Sequence, residues 1–243
     1  QMSELFSIQL QNRQQQGRDG VWLDLPTTTE QVQAALRQIG ISSDNPQGLF
    51  ISGYFAEEEK RFAIPYNMVL ASNVDELNFL ASRLETLSTG ERAELNAALQ
   101  APQSELSSIG RITDFPENVD YYVHLPDVHG PAQLGDYYLN RSGMVDMPEE
   151  WKGGIDTAQF GRYVAQQEQG VFTEYGYLVK SGDEWQKVHE GQSVPEEYRV
   201  LSFPAPEILR DAANIPPLVQ PETEPQKVIP IILNGKDSVE RMK

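Results

Sequence analysis

The hydrophobic pattern begins as short alternating runs around one helix. FSIQL at 6–10 and GVWLDLP at 20–26 read as strands, and Thr27 with Glu30 forms a capping box ahead of EQVQAALRQIGI. Gly40 stops that helix, and GLFISGYF at 48–55 adds a third strand, so residues 4–72 read as a small α+β unit. From residue 73 the apolar spacing changes to three and four: after an Asn73/Glu76 cap, Val74, Leu77, Leu80, Leu84 and Leu87 fall on one helical face. A second helix from about Gly90 to Gln100 and a short third from Ser104 to Ile109 make 73–113 a helical middle unit. In 114–180, VDYYVHL at 119–125 reads as extended, Pro131 opens a helix that closes near Gly143, Asp156 begins another, and GVFTEYGYLVK at 170–180 is a strand. The predicted fold class is therefore α+β, three small units in series followed by a C-terminal extension.

Beyond residue 180 the periodicity loosens. EEYRVLSFP within 181–213 offers one further strand, and Pro216, Pro217, Pro221 and Pro225 make 214–226 a stiff, solvated linker. KVIPIILNGKDSVERMK reads as a strand, a turn and a helix capped by Asp237 with Glu240. Residues 227–243 are thus expected to be the start of a further, truncated domain, because so short a helix does not hold alone. Met2 behind Gln1 reads as a native start preceded by one added residue.

Charge changes this picture most. The 19 Lys and Arg against 36 Asp and Glu give a formal charge of −17, which repels nucleic acid and anionic membrane and favours basic partners. The absence of cysteine excludes thiolate chemistry and disulfides. No secretory pattern or bilayer-length apolar run is legible, so a cytoplasmic location is expected. The excess concentrates at 114–150, where Asp114, Glu117, Asp120, Asp127, Asp136, Asp146, Glu149 and Glu150 face one cation, Arg141. Further clusters are Glu57, Glu58, Glu59 and Glu85, Glu91, Glu94. Such charge serves a solvated surface, a metal site or an imitation of a polyanion; the last needs carboxylates spread over an extended surface, because B-DNA carries a charge every ~1.7 Å of axis.

Discrete chemistry is weakly signalled. His124, Asp127 and His129 in HLPDVH are the candidates for a hydrolase or metal-dependent enzyme, but Pro126 interrupts them and their spacing fits neither a helical pair nor a zinc signature. No G-x-S-x-G elbow, phosphate loop or dinucleotide glycine pattern is present, and no cofactor is expected. A recruitment domain for whatever follows residue 243 is a third reading.

In order and spacing, GVWLDLPTTTEQVQAALRQIGI, FISGYF, VDELNFLASRLETL, LGDYYLNRSGMVDMPEEW, IDTAQFGRYV and GVFTEYGYLV resemble the ArdA antirestriction proteins of mobile genetic elements, over about residues 4–180. The resemblance implies an elongated, acidic, dimeric, non-enzymatic inhibitor that imitates bent DNA in the DNA-binding groove of type I restriction-modification enzymes. On that reading the fourteen carboxylates named above stand in for phosphates, and no residue is catalytic. Lys60, Arg61, Arg83 and Arg92 lie near several of the clusters. A homodimer is expected through residues 119–180 with Leu134, Tyr137 and Tyr138 near its centre, because neighbouring tyrosines suit a buried interface and a two-fold pair doubles the reach of one chain.

Overall fold

A computed structural model describes residues 4–206. The predicted 214–226 linker and the predicted start of a domain at 227–243 lie outside the described residues.

The first sheet has the order β2-β1-β3, with β1 Phe6–Asn12 antiparallel to β2 Val21–Leu25 and to β3 Leu49–Phe55. Its pleat is the alternation legible in the sequence: Phe6, Ile8 and Leu10 are buried, while Gln9 and Gln11 turn to the other face. Helix α1, Thr29–Gln38, lays Val32, Ala35 and Leu36 against that inner face. Its cap is Thr28, which accepts the Gln31 N–H at 3.3 Å. The expected cap, Thr27, is buried: its backbone N–H goes to Asn78 Oδ1 and its hydroxyl donates to Gln31 Oε1, both at 2.8 Å, and the helix starts one residue later. Gly40, at φ +69°, ends the helix in the left-handed conformation that glycine tolerates.

A short α2 (Tyr66–Leu70) leads to α3 (Val74–Leu84), which buries Val74, Leu77, Leu80, Ala81 and Leu84 as the spacing predicts. Asn73 caps it; Glu76 completes no reciprocal box, since its carboxylate takes the Ser72 hydroxyl at 2.9 Å. Helix α4 (Thr89–Gln100) starts one turn-residue earlier than predicted because Ser88 and Glu91 form a full capping box. The short helix expected at 104–109 instead forms as α5, Ile109–Thr113, capped by Ser108. Ser104 is drawn into a turn, its hydroxyl donating to the Ala98 carbonyl at 2.7 Å and accepting from Leu106 N–H at 3.1 Å.

The second sheet has the order β4-β6-β5: β4 Tyr122–Leu125, β5 Val171–Thr173, β6 Gly176–Lys180. The run 170–180, predicted as one strand, is a tight hairpin turning at Glu174–Tyr175. Gly176 sits at φ +115°, and a side chain there would meet the Leu125 carbonyl, so glycine is required at the start of β6. Over this sheet lie α6 (Pro131–Asp136), continued by a π turn through Arg141, and α8 (Thr157–Glu168). Asp156 caps α8 through the N–H groups of Ala158 and Gln159, and the four-residue α7 is Glu149–Lys152.

One apolar core runs from Leu5 to Val200 through the first sheet, α1, α3, α4 and α5 and reaches Tyr122 and Leu178 of the second sheet. A smaller cluster of Val128, Leu134, Ala165 and Tyr177 lies beneath α6 and α8. The segment 181–206 forms no strand, yet Val200 is buried in the main core and Trp185, Leu201 and Phe203 pack against it. Side chains satisfy its backbone. Asn118 takes the Gln186 N–H at 2.6 Å and donates to the Gln186 carbonyl at 2.9 Å, Asn78 donates to the Tyr198 carbonyl at 3.0 Å, and Asp75 accepts from Val200 and Leu201, both at 2.8 Å. Among the described residues no helix is long and apolar enough to cross a membrane.

Candidate acidic interaction surface

The predicted carboxylates divide by burial. Asp120, Asp127, Asp136, Asp146, Glu149 and Glu150 are exposed, as are Glu57, Glu58, Glu59 and Glu117. Glu85 and Glu91 are half-buried on α3's end and α4. Several carry a cation: Glu57 pairs with Lys60 at 3.6 Å, Asp136 with Arg141 at 3.8 Å, Glu149 with Lys152 at 2.7 Å, and Glu117 with Arg83. Asp120, Asp127, Asp146, Glu150, Glu58, Glu59 and Glu85 have no ion-pair partner among the described residues.

Two of the predicted acids leave the surface set. Asp114 is fully buried, and its carboxylate accepts the backbone N–H groups of Val188, His189 and Glu190 at 3.2, 2.6 and 3.1 Å. Its charge is spent inside the chain, pinning the extension to α5. Glu94 lies buried on α4, and burial first, then the charges of Glu91 and Asp120, push its carboxyl up to about 8. At neutral pH it is largely protonated and contributes little to a polyanion. Helix α4, from the predicted middle unit, contacts the turn at 115–121, from the predicted third.

His124, Asp127 and His129 do not form a ligand cluster. The His124 ring meets the Tyr175 carbonyl at 2.7 Å on β4, while Asp127 and His129 are exposed on the loop beyond it. Convergent ligand atoms occur instead at Asp114, Glu117 and His189. That grouping does not suit a cation: Asp114 is filled by three N–H donors and Glu117 is bound to Arg83.

The residues expected at a dimer centre are largely committed to their own chain. Leu134 is fully buried in the small core. Tyr138 donates its hydroxyl to both oxygens of Glu168, at 2.9 and 3.0 Å, and Tyr177 donates to the same carboxylate, so burial and that carboxylate raise both phenols. Tyr137 stacks edge-on against Tyr138 at 5.5 Å with Arg141 over its ring. The large apolar side chains that residues 119–180 do expose are Val123, Met144, Trp151 and Tyr163, of which the last three stand out at 74%, 66% and 60% exposure. None had a sequence signal beyond its residue type. Also missed was Glu105, which joins Arg111 at 3.1 Å and Lys180 at 2.7 Å; the Lys180 hydrogen bond holds its carboxyl below the usual range.

A family model described as "Antirestriction protein (ArdA)" matches residues 16–179. No curated protein matches the chain.

Proposed function

Because the chain belongs to the ArdA antirestriction family, matched over residues 16–179, we propose that it inhibits type I restriction-modification enzymes by presenting a phosphate-like surface to their DNA-binding groove. The observation that carries this reading is the set of exposed carboxylates without an ion partner among the described residues, Asp120, Asp127, Asp146, Glu150, Glu58 and Glu59, borne on separate elements rather than gathered in one pocket. Spread in this way they suit many weak contacts with a basic groove and do not suit a catalytic centre. The inhibitor acts stoichiometrically and supplies no reacting group. Two copies joined through residues 119–180 extend the mimic, and Trp151, Tyr163 and Met144 are the side chains of that region most available to a partner copy.

The test is a salt titration of binding to a purified type I enzyme. Log affinity is expected to fall steeply with log salt, as it does for DNA. Changing Asp120, Asp127, Asp136 and Asp146 together to Lys should flatten the slope by about one for each carboxylate that had faced a cation, with the fold retained. A flat salt dependence of the parent, or loss of inhibition through one of these residues alone, would overturn the mechanism.

A further inference from the structure

We propose that the outer face of the first sheet is a second contact point: an aromatic platform on which arginine side chains of a basic partner protein stack. It rests on the reading above, in which the partner is a DNA-binding protein.

Register places the platform. Ser7 of β1 stands opposite Asp24 on one side and Phe55 on the other, and Gln9 stands between Trp22 and Gly53, so Trp22, Asp24 and Phe55 share the face turned from the core. A side chain at position 53 would come within 3.0 Å of the Trp22 ring, so it is glycine that lets the indole lie across the sheet. Trp22 and Phe55 meet edge to face at 6.5 Å between centroids and are 49% and 53% exposed. Tyr66, equally exposed, stands beside β3 with its hydroxyl donating to the Ser52 carbonyl at 3.4 Å.

Carboxylates lie at the same end of the sheet. The Ser7 hydroxyl is 2.7 Å from an Asp24 oxygen and 3.1 Å from a Glu4 oxygen, and Glu57, Glu58 and Glu59 follow Phe55 after Ala56, with Lys60 paired to Glu57 and leaving Glu58 and Glu59 in excess. The combination selects a ligand. A guanidinium lies flat on an aromatic face and still offers its edge N–H groups to carboxylates, whereas an ammonium is a compact, strongly hydrated charge. A nucleic-acid base also stacks, but would bring its phosphate among these acids. A second copy would set one acidic rim against another. The charge therefore fits an arginine-bearing protein surface, and the rings supply an attraction that salt does not screen.

Titration calorimetry of the whole chain with hexa-arginine and hexa-lysine peptides is the direct test. Hexa-arginine is expected to bind at least about threefold tighter. Trp22→Ala with Phe55→Ala should abolish that preference while both peptides still bind the carboxylates; each single variant is read as well, because the rings are half exposed and the core face beneath them stays intact. Equal affinity of the parent for the two peptides, or a preference that survives the double substitution, overturns the platform. So does quenching of the parent's fluorescence by hexathymidylate that the double variant lacks, which assigns the face to nucleic acid. A drop from dimer to monomer in light scattering on the double substitution also overturns it, assigning the face to a second copy. Against a type I enzyme, the double variant should inhibit more weakly by the same factor at low and high salt, with the slope unchanged; unchanged potency at both salts overturns the platform. A parent that prefers hexa-arginine yet binds no type I enzyme leaves the platform standing and removes the proposed target.

Discussion

Asp114 and Glu94 look alike in the sequence, each an acid of one of the acidic clusters, and the fold gives them opposite tasks. Asp114 is an internal anchor: three charge-assisted hydrogen bonds tie the 188–190 backbone to α5. Asp114→Ala strands those N–H groups and is expected to cost at least about 3 kcal/mol, read as a lower urea midpoint and faster proteolysis within 185–192. Glu94 works against folding. Its carboxyl sits at about 8 in the folded chain against an ordinary 4.5, held up by burial and by Glu91 and Asp120, so the folded state keeps a proton that the unfolded state releases. Below the ordinary value both states are protonated and nothing is lost; stability falls as pH rises from about 4.5 to about 8 and stays low above that. Glu94→Gln should therefore match the parent near pH 4.5 and exceed it by on the order of 2 kcal/mol at pH 9 in parallel urea unfolding. A difference independent of pH would assign the gain to packing.

Elements are positioned by backbone approach as much as by apolar faces. Helices α6 and α8 cross where a β-carbon at Gly161 would lie 1.8 Å from the Pro131 carbonyl oxygen and one at Gly135 would lie 1.9 Å from that of Thr157. Neither position has room for a methyl group. Gly161→Ala is expected to destabilise by about 1–3 kcal/mol although alanine is the better helix former. Gly90→Ala, in the first turn of α4 with nothing within 4 Å, should be neutral or stabilising by up to about 1 kcal/mol. Thermal unfolding of the two variants separates packing from propensity. The same close approach sets the outward face of α8, which carries Tyr163.

For the whole molecule, the decisive question is how far one copy's acidic surface extends through a second. The proposed pairing through residues 119–180 predicts that light scattering finds a dimer at tens of micromolar, and that Trp151→Glu with Tyr163→Glu yields folded monomers. Tyr137→Glu with Tyr138→Glu is a poorer test, since Tyr138 is bonded to Glu168 and its loss disturbs the small core. A double Trp151/Tyr163 variant that remains dimeric moves the interface to another face.

By itself the sequence determined what repeats locally or sums over the chain. The two-residue alternation of β1, the three-and-four spacing of α3, the Asn73 and Asp156 caps and the glycine stop at 40 were legible because each depends on neighbours within a turn or a pleat. Net charge and family resemblance were legible because they add over many residues, and the α+β class followed. Tertiary structure alone decided the rest. Thr27 was buried with its backbone N–H bonded to Asn78, 51 residues away, and Thr28 capped the helix instead; the 170–180 run folded into a hairpin around Gly176, and an extension with no periodicity joined the core because Asp75, Asn78, Asp114 and Asn118 satisfied its backbone. Which acids form a surface was not legible either, since a carboxylate's letter is the same whether water or three N–H groups surround it. Burial and partners distant in the chain set that difference, and only the folded arrangement brings them together.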